Sequence, residues 1–393
     1  MKFLTDYSNL LKSYSKMKQK NKRIGNLLGA TLIACLMGAS SNVVMAQTNS
    51  SDNPSTPVTQ NSASKPASVK VVFTGDIMMG TTYPDSINGS NLPPNDGRDL
   101  FVDVKEVIAG ADFAGGNLEG NLLDGPGKRR KMGNPKYYFV FRMPTRYVDH
   151  LVDAGYDFLG IANNHTNDFG KPGQTSTMET LEKAGLAYAG LKGICETAYV
   201  ERDGVKYGVA QVGHGGNSLD VTNISEVTRL VKELRKNADI VILSFHGGAE
   251  GQAYTHVPSK TERYLGENRG NVRALAHAAI DAGADAVFGH GPHVARGAEL
   301  YKDHIIFYSL GNFCTPYIMN LKGISGQAPI AEVELDMDGK FIGGKIHSFY
   351  QKEGEGPRLD PTNGAAQQIR KLSLEDFPES TLIIADDGRL SKK

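Results

Sequence analysis

Six segments of this chain place metal-type ligands, or partners of such ligands, directly after short apolar runs. Asp76 follows Val71-Val72-Phe73, and Asn117 and Glu119 follow Asp112-Phe113-Ala114. Asn163, Asn164, His165 and Asp168 follow Phe158 to Ala162. His246 closes the run from Ile240 to Phe245 and is trailed by Gly247-Gly248-Ala249-Glu250. His290 and His293 follow Val287-Phe288, and Asn312 sits in Ser309-Leu310-Gly311-Asn312-Phe313. Alone, a histidine at a strand end is more often structural than a ligand, and an Asp after Gly is usually a turn residue. The set says more than its members, because the carboxyl ends of strands in an open parallel sheet converge on one ligand crevice. Carboxylate, amide oxygen and imidazole, without thiolate, suit Mn, Fe or Zn. One or two such ions activate water and clamp a phosphoryl group.

Those residues need a scaffold of alternating strands and helices. The spacing predicts helices over Phe101 to Ala109, Pro144 to Ala154, Gly173 to Ala184, Ser225 to Asn237 and Asn271 to Ala282. Ser225 is the expected N-cap of the fourth, whose apolar stripe is Val227, Leu230, Val231 and Leu234. Strands are expected at Asp157 to Ala162, Lys206 to Val212, Asp239 to Phe245 and Asp285 to Phe288. Asp203-Gly204 and Asp338-Gly339 mark hairpin turns. Alternating βα units followed by antiparallel pairs predict one layered α/β domain over residues 70–350. Residues 351–393 read as a polar C-terminal extension in which Leu382-Ile383-Ile384 is a candidate edge strand.

Composition narrows the function classes. Lys+Arg and Asp+Glu balance at 43 each, which excludes a general nucleic-acid binder needing a basic face. Local charge is another matter. Lys128-Arg129-Arg130-Lys131 lies in a Gly/Pro-rich loop, with Lys136 and Arg142 nearby. Such a run is either solvated surface or a long-range attractor of polyanions. Arg296, just past His293, is a candidate for bidentate contact with a carboxylate or phosphate. Residues 1–46 read as a signal segment, with Lys12 to Arg23 as the basic part, an apolar stretch from Ile24 to Met37, and Val44-Met45-Ala46 as the cleavage site. The apolar stretch is short of the roughly 20 residues a membrane span needs. Leu32-Ile33-Ala34-Cys35 offers an alternative, a lipoprotein anchored at Cys35. Residues 47–69 are a flexible Ser/Thr/Asn/Pro linker. Cys195 and Cys314 are expected to be free.

Taken in order, Thr74 to Gly80, Asn117-Leu118-Glu119, Ala162 to Gly170, Phe245 to Glu250, Gly289 to Val294 and Ser309 to Phe313 resemble the motif series of the CapA/PgsA capsule-synthesis family. That family is similar in fold to calcineurin-like metallophosphatases. It is associated with poly-γ-glutamate capsule synthesis, export or anchoring, and some members are regarded as hydrolases. The resemblance implies an α/β, layered metallophosphatase-like domain with mixed sheets flanked by helices. It implies that Asp76, Glu119, Asn164, His246 and His290 hold one or two divalent ions, and that His165 or His293 transfers a proton. Asn163, Glu250, Arg296, Asn312 and Arg130 are then the residues expected to face substrate. The chain departs from the metallophosphatase pattern at Met78, where that motif has a histidine, and in the extra residue between His290 and His293. One metal position is therefore weakened, rebuilt or absent.

Two function classes follow from the resemblance. One is an exported, metal-dependent hydrolase-like enzyme acting on an anionic envelope polymer such as poly-γ-glutamate. The other is a non-catalytic, polymer-binding component of a capsule export or anchoring machine, for which Met78 speaks. A phosphoesterase unrelated to capsule is a third reading, resting on fold analogy alone. Partners are expected among capsule synthesis or export proteins, with no nucleic acid and with membrane contact only through a lipid anchor. The location is periplasmic or envelope-associated.

Overall fold

Alternation of side chains sets the first strand. Over Ser68–Ile77, Val69, Val71 and Phe73 share one face and Val72 takes the other, so both faces are apolar. A strand of that kind belongs between two packed layers. The structure, a computed structural model, describes residues 65–83, 91–125, 127–130 and 139–393. The expected signal segment with Cys35, the linker up to residue 64, and Lys131 and Lys136 lie outside the described residues.

Along the chain, the strands of the two large sheets are β1 (Ser68–Ile77), β2 (Phe113–Leu118), β3 (Phe158–Gly160), β4 (Ala187–Ala189), β5 (Thr197–Arg202), β6 (Val205–Val212), β7 (Ile240–His246), β8 (Ala286–His290), β9 (Ala298–Tyr301), β10 (His304–Phe307), β11 (Asn312–Cys314), β12 (Ile330–Asp336), β13 (Phe341–His347), β14 (Leu382–Ile384) and β15 (Arg389–Lys392). The helices are α1 (Lys105–Ala109), α2 (Val148–Ala154), α3 (Gly170–Lys183), α4 (Ile224–Arg235), α5 (Val272–Ala282) and α6 (Gly364–Asp376). The first sheet runs β14-β15-β13-β12-β1-β2-β3-β4, with β11 paired to the end of β1. The second runs β9-β10-β8-β7-β6-β5. Both are mixed. β1 to β4 run parallel to one another, as do β6, β7, β8 and β10, while the remaining pairs within the two main orders are antiparallel.

The sheets stack face to face. Val71, Phe73, Phe113 and Phe158 of the first meet Tyr207, Val209, Ile242 and Phe288 of the second. The Phe73 and Phe288 rings stack at 4.2 Å, and those of Phe113 and Tyr207 at 4.8 Å. Each such ring pair adds about 0.5–1.5 kcal/mol beyond simple burial. Ile108, Leu151 and Leu181 of α1, α2 and α3 cover the outer face of the first sheet. The stripe Val227, Leu230, Val231, Leu234 of α4, with Leu275, Ala276 and Ala279 of α5, covers the outer face of the second. The expected layered α/β architecture, mixed sheets flanked by helices, is therefore what the chain adopts.

Several local expectations shift. The Asn223 side chain, rather than Ser225, caps α4, accepting from the Glu226 N–H at 3.1 Å. Ser225 instead donates to that same asparagine oxygen at 2.8 Å. The Phe101 helix is α-helical only from Lys105, and the Pro144 helix begins as a 3-10 turn over Thr145–Tyr147. Asp203 and Gly204 do form the tight turn between β5 and β6, with φ of 51° and 77°. Residues 351–393 are no separate extension. They supply α6, β14 and β15, and bury Ile369, Leu382, Ile384 and Leu390 in the core between the sheets. Cys195 and Cys314 are free. No helix among the described residues is long and apolar enough to cross a membrane.

Candidate metal centre

The first sheet sets three polar residues in one row. Parallel pairing places Asn312 of β11 and Asn117 of β2 on either side of Asp76 in β1. Gly75 permits this approach, since a Cβ there would lie 2.2 Å from the Gly311 carbonyl oxygen. Any side chain at that position would push β11 off β1. Asn117 Nδ2 donates to Asp76 Oδ1 at 2.8 Å, and Asn117 Oδ1 accepts from Gln211 at 3.0 Å and from Asn163 at 3.1 Å. Glu119 stands just past β2, its N–H donating to the Ile77 carbonyl at 2.9 Å. The second sheet brings His246 and His290 as register partners at the ends of β7 and β8.

The two sheet edges converge at the carboxylates. Glu119 Oε1 is 3.5 Å from His246 Nε2, 3.7 Å from His293 Nε2 and 3.9 Å from His165 Nε2. Asp76 meets His293 Nδ1 at 3.0 Å and His290 Nδ1 at 3.7 Å. Asp76, Glu119 and His293 offer ligand atoms within 4.8 Å of one another. His293 reaches this position from a left-handed backbone, φ 56°. Positive φ is uncommon for non-glycine residues, histidine being one of the enriched exceptions, and strained backbone of this kind clusters at functional sites.

Unpartnered buried atoms concentrate in the same place. Both Glu119 oxygens, both ring nitrogens of His246 and of His290, Asn164 Oδ1, Asn312 Oδ1 and His214 Nε2 are buried with no hydrogen-bond partner. Buried polar atoms are almost always paired, so a group of orphans requires an explanation. Oxygens and imidazole nitrogens without thiolate are the donor chemistry of Mn, Fe or Zn, and the residues fit such an ion. Burial works against the charge of Asp76, but the hydrogen bond and field of His293, with the fields of His246 and His290, hold its pKa well below the usual carboxylate range. Burial likewise opposes a charged His293, yet Glu119 and Asp76 outweigh it and push its pKa up to about 10. His290 goes the other way, because burial brings it down to about 4. A proton on His293 thus offsets one of the two carboxylate charges.

A second histidine is built differently. His165 Nδ1 hydrogen-bonds to Asp168 Oδ2 at 2.9 Å, the carboxylate oxygen accepting, which leaves Nε2 directed at the carboxylate cluster. Burial disfavours its charged form, but Asp168 prevails and raises the pKa. Asp168 is itself pinned by the Phe141 N–H at 2.8 Å, and the Phe141 ring lies 4.0 Å from the His165 ring.

The residues expected to face substrate divide. Arg296 does not face the cleft. It is 0% exposed, forked onto Glu262 at 2.8 and 3.0 Å, and bonded to the Ala249 carbonyl at 3.0 Å. Arg296→Met is expected to cost about 3–5 kcal/mol in denaturant unfolding, because it strands the buried Glu262 carboxylate. A loss under 1 kcal/mol, which is about the worth of an exposed pair, would contradict that role. Asn163 is also inward, its amide consumed by Asn117, the Leu118 carbonyl and the His165 N–H. Glu250 lies at the rim, accepting from Arg269 at 2.6 Å. Asn312 is buried beside Asp76. Arg130 is exposed, and its backbone N–H donates to the Asp168 carbonyl at 2.9 Å, which ties the basic segment to the His165 loop. Arg142 is turned inward onto Thr82 and the Gly125 carbonyl.

Sequence reading missed His214 and Gln211. Gln211 links Asn117 to the Ala162 N–H, which it accepts at 2.6 Å. The His214 ring lies 5.2 Å from that of His246, and its Nδ1 meets the His246 carbonyl at 3.2 Å. Gly213 lets this loop close on the Asn163 loop, since a Cβ there would be 2.1 Å from the Ala162 carbonyl oxygen. The signal was present, for His214 follows β6 as the other site residues follow their strands.

A family described as "Bacterial capsule synthesis protein PGA_cap" matches residues 70–317. The chain is 30% identical over 265 residues to the "Capsule biosynthesis protein CapA" of Bacillus anthracis, covering 62% of this chain and 59% of that protein. It is 29% identical over 257 residues to the "PGA biosynthesis protein CapA" of Bacillus subtilis, covering 61% and 62%. The chain thus spans less than two thirds of either relative's length. Among solved structures it is similar to a phosphatase from Mycoplasma pneumoniae, at TM-score 0.46 and 15% identity over 73% of this chain and 95% of the other. It is also similar to a 5'-nucleotidase precursor from Thermus thermophilus, at TM-score 0.40 and 12% identity over 81% and 61%.

Proposed function

This chain belongs to the bacterial capsule synthesis protein PGA_cap family, and on that premise we propose that it is an exported, metal-dependent hydrolase acting on an anionic polymer of the cell envelope. The observation that carries the reading is the gathering of orphaned buried donors around Asp76 and Glu119. Asp76, Glu119 and His293 would hold one ion, and Glu119, Asn164, His246 and His290 a second. His293, expected as a proton carrier, is reassigned here because it touches both carboxylates. A bound divalent ion supplies Lewis-acid polarisation and makes water a nucleophile near neutral pH.

The chain's own residues do the remainder. His165 carries the movable proton on Nε2, with Asp168 fixing the tautomer and orientation from Nδ1. Asp168 raises its pKa against the opposing effect of burial, which favours the protonated form that can donate to a leaving group. Asn117, Gln211 and Asn163 form the amide chain that aims Asp76 and the His165 loop. Lys128 and Arg130, exposed beside that loop, draw the polyanion in.

Poly-γ-glutamate incubated with the purified chain and Mn, Fe or Zn tests the reading. Metal-dependent shortening of the polymer is the expected result. Polymer binding without cleavage would favour a non-catalytic component of a capsule export machine, the reading that Met78 supports. Neither cleavage nor binding would overturn both. The basic segment carries its own expectation. Reversing Lys128, Arg129 and Arg130 to Glu should weaken polymer binding about tenfold or more at low salt, and the difference should shrink as salt rises. An unchanged affinity would return that segment to solvated surface.

A further inference from the structure

We propose that Asn312 is a metal donor, supplying Oδ1 to the ion held by Asp76, Glu119 and His293; this rests on the metal-site reading above. Its neighbour in the row, Asn117, spends its whole amide within the protein, Nδ2 on Asp76 and Oδ1 on Gln211 and Asn163. Asn312 flanks Asp76 from the other side but is used only by half. Its Nδ2 donates to the His293 carbonyl at 3.3 Å and to the Ser325 carbonyl at 3.1 Å. These two acceptors fix the orientation of the amide, because a flip would set oxygen against two carbonyl oxygens. Oδ1 is left buried, on a residue 1% exposed, with no hydrogen-bond partner.

An amide oxygen pinned this way beside a carboxylate has the chemistry of a hard, neutral metal donor. It also answers the departure at Met78, whose thioether offers no oxygen or nitrogen donor. Asn312 restores the donor count from a different strand. The Nδ2 contact to His293 additionally couples the donor to the loop that carries the imidazole ligand.

Two variants separate donation from positioning. A ligand role needs Oδ1, whereas a positioning role needs Nδ2. Asn312→Ala removes both, while Asn312→Asp keeps the oxygen and loses the donor. Titration of the full chain with Mn alone, read by calorimetry and by electron paramagnetic resonance of free Mn, gives affinity and stoichiometry without a substrate. The expected result is at least about tenfold weaker Mn binding in Asn312→Ala, the loss typical even of groups that only support a ligand. Asn312→Asp should bind as tightly as the parent or tighter. Equal weakening in both variants would make Asn312 a positioning residue and overturn the proposal. Unchanged binding in Asn312→Ala would overturn it as well, with the metal reading intact. If the Ala variant does not fold, the Asp variant against the parent decides. A parent that binds no Mn would overturn the metal reading and this inference together.

Discussion

Asp76→Ala is expected to abolish metal-dependent turnover, by about a thousandfold or more, equivalent to about 4 kcal/mol of barrier. Asp76 is the residue on which the site depends most. It receives Asn117 from one side, His293 from above and the field of His290, and it is fully buried. Asp76→Asn keeps the shape and a neutral oxygen but removes the charge that balances a cation. It is expected to fail nearly as badly, with a near-parental melting profile. His246→Ala should match it, since both His246 ring nitrogens are unpartnered and Nε2 stands 3.5 Å from Glu119 Oε1. Folding should survive in each case, because the sheets are held by the apolar layers and not by this edge. Circular dichroism and activity on poly-γ-glutamate, measured on the same preparations, check both halves. Parental turnover in folded Asp76→Ala would remove the carboxylate from the mechanism.

The second large effect is on metal affinity against pH. His293 without an ion holds its proton up to about 10, because Glu119 and Asp76 outweigh burial. A metal ligand must be deprotonated, so binding at His293 expels that proton. The sign follows directly. Below about pH 10 the apparent dissociation constant should fall about tenfold for each unit of rising pH. His290, already neutral above about 4, adds no slope near neutrality. Raised pKa also means that the proton on His293 stabilises the ion-free fold fully below its unfolded value of about 6.5, and that this contribution is lost as pH rises through about 10. Calorimetry in buffers of different ionisation enthalpy counts the released proton. A flat affinity between about pH 7 and 9, beneath His293's folded value, would mean that His293 is no ligand.

The convergence of strand ends was legible in the sequence because each end is punctuated. An apolar run stops at a Gly, Asn or His, and the parallel sheet does the rest. Which amide of Asn163-Asn164 looks inward was not legible. The two are adjacent, and only Asn117, on a neighbouring strand, claims Asn163 and leaves Asn164 Oδ1 without a partner. Arg296 was misread for a similar reason. Its partner Glu262 lies on a small hairpin, Glu262–Tyr264 paired with Glu267–Gly270, and nothing in the sequence near His293 announces it. The approach of His293 to both carboxylates was not legible either, because its left-handed φ, after Gly291-Pro292, is what folds the ring back onto Asp76 and Glu119. The C-terminal residues were too polar overall to read as a layer. Their few apolar positions, Ile369, Leu382, Ile384 and Leu390, join the central core only through the fold.

Elemental analysis of the purified chain, after exposure to Mn, Fe and Zn in turn and removal of excess, tests the central claim most directly. Glu119→Gln serves as the matched control, because Glu119 is shared by every donor group described and both its oxygens are unpartnered. The account predicts one or two equivalents of ion in the parent and a clear loss in the variant. A parent that emerges free of all three metals, while folded and still able to bind poly-γ-glutamate, would contradict it.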